Sequence, residues 1–87
     1  MLANNLRKGW RVQLENGWMA TIADNKRGMI RMALVEGYVT ELGSIYAKDI
    51  RWAWDPAQAS ISAPPWVRVE LSPAQDKQAA RIRAAGF

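Results

Sequence analysis

The stretch Trp10-Arg11-Val12-Gln13-Leu14-Glu15-Asn16-Gly17-Trp18-Met19-Ala20-Thr21-Ile22 decides the fold. Trp10, Val12 and Leu14 alternate with Arg11 and Gln13. Trp18, Ala20 and Ile22 alternate with Met19 and Thr21. Alternation on both sides of an Asn-Gly predicts a hairpin of two half-buried antiparallel strands. A two-residue Asn16-Gly17 loop would pair Leu14 with Met19 and set the two apolar rows on opposite faces. A three-residue loop, Glu15 to Gly17, with Gly17 left-handed, pairs Leu14 with Trp18, Val12 with Ala20 and Trp10 with Ile22. Every apolar position then shares one face, so the bulged turn is expected.

Working outward, Ile30, Met32 and Leu34 alternate with Met29, Arg31 and Ala33, and predict a third strand with the even positions inward. Leu34-Val35-Glu36-Gly37-Tyr38 echoes the first turn, so a second bulged turn should pair Leu34 with Tyr38 and Ile30 with Leu42. A fourth strand then lies near Tyr38–Leu42. Gly43 to Asp49 suits a short 3₁₀ turn leading into a fifth strand at Ile50–Trp54, where Ile50, Trp52 and Trp54 take the inward parity. Residues 1–54 therefore read as a five-stranded small barrel. Residues 55–71 read as an extended connector, because Pro56, Pro64 and Pro65 forbid regular ladder pairing, and Trp66 to Leu71 alternates as a further strand or an arm. Residues 72–87 read as a C-terminal α-helix. Ser72 is its N-cap, Pro73 its first residue, Asp76 lies in the first turn, and Gly86 stops it with Phe87 folding back near Ile82.

Composition narrows the chemistry. The 87 residues hold no cysteine and no histidine, which removes disulfides, thiolate ligands, the usual zinc ligands and the usual general base. Glu36 and Glu41, and Asp49 and Asp55, form no nucleophile pair or metal-ligand spacing, and Gly28, Gly37 and Gly43 match no phosphate loop. The expectation is a non-enzymatic protein with no cofactor and no metal. The first ten residues carry no apolar stretch of signal-peptide type, and no apolar run approaches the roughly 20 residues that span a bilayer, so no membrane role is expected and the cytoplasm is the expected location.

Twelve Lys and Arg against eight Asp and Glu give a formal charge of +4 and a pI near 10.0. Three of those four net charges fall on residues 1–54. Arg11, Arg31 and Arg51 occupy polar strand positions, and Lys26 and Arg27 share one polar loop. Brought together, these five form a basic stripe able to track phosphates; as separate residues they are ordinary solvated strand positions. Trp10, Trp18 and Trp52 fall at core parity. Trp54, at the end of the last strand, and Trp66, after Pro64-Pro65, are the contact candidates, for stacking or for a protein partner. The plainer reading of Trp66 is that it clamps the connector onto the barrel.

Arg7-Lys8-Gly9-Trp10-Arg11-Val12-Gln13-Leu14, followed by Gly17, Ala20-Thr21-Ile22 and Gly28, resembles the opening of KOW and other SH3-like small barrels. The fold class this implies is mainly β: an SH3-like five-stranded barrel with a 3₁₀ turn before its last strand. Trp10 stands where an acidic residue is more usual in that group. The run Glu41 to Ile50, with Leu71-Ser72-Pro73-Ala74-Gln75 and Ala85-Gly86-Phe87, resembles small uncharacterised proteins of bacteriophages and prophages, which would place the chain in a host cytoplasm. SH3-like barrels bind RNA, DNA, peptides or ribosomal partners, so the resemblance does not choose among them. Two functions stay open. One is a nucleic-acid-associated module with little sequence readout. The other is a protein-interaction or self-associating piece of a phage-type assembly that uses the Trp/Pro arm.

Overall fold

A computed structural model describes residues 1–58 and 66–86. Six strands form one antiparallel sheet: β1 Arg11–Leu14, β2 Met19–Ile22, β3 Ile30–Glu36, β4 Thr40–Tyr46, β5 Ile50–Trp54 and β6 Val67–Arg68, in the spatial order β4-β3-β2-β1-β5-β6. Short 3₁₀ turns cover Ala3–Asn5, Ala47–Asp49 and Pro56–Gln58, and one helix, α1, spans Pro73–Ala84. The sheet is open. The outer edge of β5 is taken by β6, whose register sets Trp52 opposite Arg68 and Ala53 opposite Val67. Closure of five strands into a barrel is therefore not what the structure has.

The first hairpin follows its sequence. Val12 pairs with Ala20, the Leu14 N–H donates to the Trp18 carbonyl at 2.8 Å, and Gly17 has φ +90°, a value that disfavours any residue with a Cβ. The bounds of β5 also stand where expected, and a 3₁₀ turn precedes it, but that turn covers only Ala47–Asp49 because β4 runs on past Leu42 to Tyr46. The second hairpin differs. Leu34 pairs with Leu42 and Ile30 with Tyr46, so the loop is Gly37-Tyr38-Val39 and β4 begins two residues later than expected. Gly37 is not a left-handed bulge. Its role is space, since a Cβ there would overlap the Trp18 ring, which also meets Tyr38 edge-on at 5.7 Å.

Two parities are corrected. In β3 the ladder sets Ile22 opposite Ala33, so the odd positions point inward; Arg31 and Ala33 are buried while Ile30 and Leu34 are exposed. Apolar residues at both parities of 29–35 hide this choice, and the cation at 31 makes the true face look like the wet one. In β5 a bulge intervenes: Gln13 faces Trp52 but Leu14 faces Ile50, leaving Arg51 without a partner on β1. The extra residue turns Ala53 inward and Trp52 outward. None of the tryptophans belongs to the buried core. Trp10 packs against it, while Trp18 and Trp52 are exposed.

That core is thin. Among the described residues, six of its thirteen apolar members are alanines, and it draws on all three parts of the chain, from Ala3 and Leu6 through Val12, Ile22 and Ile50 to Val69 and Ala79. The N-terminal segment lies beside the stretch after β6, with the Ala3 N–H donating to the Glu70 carbonyl and the Glu70 N–H to the Met1 carbonyl, both at 2.8 Å. Helix α1 starts at a reciprocal cap: the Gln75 N–H donates to Ser72 Oγ, and the Ser72 N–H to Gln75 Oε1. It docks through Gln75 and Ala79, with Ile82 half-buried against the core, and Gly86 at φ +91° follows its end. Phe87 and the Pro64-Pro65 stretch lie outside the described residues.

Candidate functional site: a basic cleft beside Trp52

The bulge that re-phases β5 also starts the site. Arg51 leaves the ladder, and its carbonyl accepts the Val69 N–H at 2.8 Å, which brings β6 and its Arg68 alongside. The Arg51 guanidinium lies outward, 3.2 Å from Glu15 Oε1. Lys48 comes from the 3₁₀ turn just before β5. Its Nζ donates to Asp49 Oδ1 at 2.8 Å and stands 5.5 Å from the Tyr46 ring centre. Helix α1 supplies Arg83, one residue after the inward-packed Ile82. These four cations, with Glu15, Trp52, Ile50 and Val69, line one cleft of about 220 Å³. Arg68 and Arg83 have no ion-pair partner among the described residues. A recess lined by four positive charges and one negative favours anions, and guanidinium groups suit bidentate contact with a phosphate or carboxylate.

Of the five residues expected to form a basic stripe, only Arg51 reaches this cleft. Arg11 lies on the outward face of the sheet, bonded to Glu36 at 2.7 Å and to Thr21 Oγ1 at 2.9 Å. Lys26 and Arg27 sit in the exposed loop between β2 and β3, where Asn25 Oδ1 accepts from the Lys8 N–H and Asn4 Oδ1 from the Gly28 N–H. That is the end of β1 remote from Arg51. Arg31 is removed from the surface altogether, at 1% exposed.

Arg31 is a structural cation. Its Nε donates to Asp24 Oδ1 at 2.7 Å, and its two terminal nitrogens reach the carbonyls of Ala3, Leu6 and Asp24 at 3.5, 3.3 and 3.1 Å. Asp24 also accepts the Met32 N–H at 2.8 Å. Burial pushes the Asp24 carboxyl up, but the Met32 N–H, the Arg31 guanidinium and the Lys26 N–H together hold it below its ordinary value. The pair is charged, satisfied and internal, and it leaves Arg31 no role in binding a phosphate.

Trp54 and Trp66 do come together, edge to face at 5.8 Å. Trp66 thereby folds the end of the connector back onto β5, as the clamp reading expected. The Trp54 Nε1 is buried and without a hydrogen-bond partner among the described residues. Among those residues no group of three His, Cys, Asp or Glu side chains is placed to hold a metal ion, and no helix is long and apolar enough to cross a membrane.

Sequence reasoning missed Lys48, Arg68 and Arg83 because nothing local joins positions 48, 68 and 83. One signal was available: docking α1 by Ala79 and Ile82 fixes the helical phase, and with it the side on which Arg83 emerges. Comparison of the chain with protein-family models, with curated proteins and with solved structures finds no match.

Proposed function

We propose that the protein is a non-enzymatic nucleic-acid-binding module that grips phosphates with little sequence readout. The observation that carries this reading is the convergence of Lys48, Arg51, Arg68 and Arg83 on one cleft, in a chain of formal charge +4. Lys48 and Arg51 already have carboxylate partners, so Arg68 and Arg83 supply most of the counterion release. The adjacency β4-β3-β2-β1-β5 with a 3₁₀ turn before β5 supports reading the first five strands as an SH3-like arrangement held open by β6. A cytoplasmic setting, that of the host if the chain is phage-encoded, goes with this reading. Binding of oligonucleotides at about 50 and 200 mM salt tests it. For two to four phosphate contacts the log–log slope with salt should lie between about −1.4 and −3.6, and Arg68→Ala with Arg83→Ala should make it shallower. No binding of single- or double-stranded nucleic acid at the lower salt overturns it.

A second reading is favoured by a different surface. Trp54, Arg11, Thr21, Leu34 and Leu42 are successive cross-strand partners on the sheet face turned away from the core, where Ile30, Leu34 and Leu42 are exposed, Leu42 at 61%. The apolar patch of Ile30, Leu34 and Leu42 suits a protein partner or a second copy, with the Trp54–Trp66 arm at the other end of the row. Light scattering over a wide concentration range checks self-association; a strict monomer rejects that form of it.

A further inference from the structure

We propose that the cleft takes one unpaired nucleotide of a single strand, the base stacking on Trp52 and the flanking phosphates held by Arg68 and Arg83. The inference rests on the nucleic-acid reading above and names its substrate class. Three observations carry it.

The first is the state of Trp52. Among the other tryptophans, Trp18 meets Tyr38, Trp54 meets Trp66, and Trp10 packs on the core. Trp52 makes no aromatic pair among the described residues and is 39% exposed, yet it lines a cationic recess. Its cross-strand neighbours are Gln13 on β1 and Arg68 on β6. An indole set between polar neighbours beside guanidiniums is the pairing that single-strand sites use, because every base has a π-face and every linkage a phosphate.

Second comes shape. About 220 Å³ falls below the range that encloses a drug-sized ligand, so the cleft admits a fragment of about one base. A duplex presents a convex cylinder of phosphates with its bases stacked inside, and it is read by an element that projects into a groove. Here the cations surround a recess, which a stacked duplex can touch only at the rim.

The third is charge placement. Glu15, bonded to Arg51, puts a negative charge on one side, which directs the strand's phosphates toward Arg68 and Arg83.

The test is fluorescence anisotropy of the full chain with labelled dT12, U12, a 12-base-pair duplex, and a 12-mer carrying central abasic sites, at low salt. Expected are tighter binding of dT12 or U12 than of the duplex, and a loss of about tenfold with the abasic strand, which keeps every phosphate. Trp52→Ala should lose a similar factor for the single strands and little for the duplex, while Trp52→Phe retains most of the affinity; melting curves establish that each variant folds. Equal affinity for single strand, abasic strand and duplex overturns this inference and leaves phosphate binding standing. Failure to bind any of the four overturns both.

Discussion

Arg31 holds the β2–β3 loop and the N-terminal segment to the sheet with one guanidinium, and the charge that makes this possible belongs to Asp24. A buried pair of this kind is costly to break, because removing one member strands the other without water. Asp24→Ala is expected to destabilise the protein by about 3–5 kcal/mol, read from urea denaturation. The pH dependence has a definite sign. The folded Asp24 carboxyl titrates below its ordinary value of 3.8, so its contribution is present above that value and is lost as the pH falls through the folded one. Acid unfolding of the wild type should accordingly steepen below about pH 4, and Asp24→Asn should flatten that limb. An unchanged acid limb in the variant would remove Asp24 as its origin. The same residue explains a failure of pattern reading, since an inward arginine is indistinguishable from an outward one until its carboxylate is located in space.

Hairpins show how far local rules carry. Residues 10–22 hold one alternation and one left-handed glycine, and both choices of face and loop could be made from them. Residues 29–42 hold apolar side chains at both parities, so the sequence admits two registers, and the tertiary fit of Trp18 over Gly37 goes with the observed one. Gly37→Ala should therefore cost about 1–3 kcal/mol through overpacking, although its backbone conformation suits any residue. A double-mutant cycle with Trp18→Leu checks the cause: most of the cost should vanish when the ring is absent. Additive effects would locate the strain elsewhere. The bounds of β5, Ile50–Trp54, were readable because they rest on composition over a few residues, whereas the start of the turn before it was not, because Gly43 to Tyr46 pairs with β3. The bulge at Arg51 was not, because its partners on β1 and β6 lie far away in the chain.

At the scale of the molecule, segments distant in sequence share one small core, and the cleft exists only because they do. Arg68 and Arg83 join Lys48 and Arg51 after Val69 has bonded to the bulge and Ala79 has docked. That dependence is why, of the residues lining the cleft, only Arg51 was singled out from the sequence as a candidate and its partners were not. Leu6 tests the dependence from the far side of the core. It is fully buried, and Leu6→Ala should cost about 2–5 kcal/mol, a large share of the roughly 5–15 kcal/mol that stabilises a domain. The loss is read as a lowered denaturation midpoint with an unchanged slope; a midpoint within error of the wild type would show that the N-terminal segment is not part of the cooperative unit. The bulge also separates what deletion and substitution can each do. Because β1 has no partner for Arg51, loss of that one residue would leave every other β5 side chain on its face, but it would remove the carbonyl that accepts the Val69 N–H. Substitution at 51 changes the charge of the cleft and keeps that bond, so the charge can be rewritten by side chain but not by length.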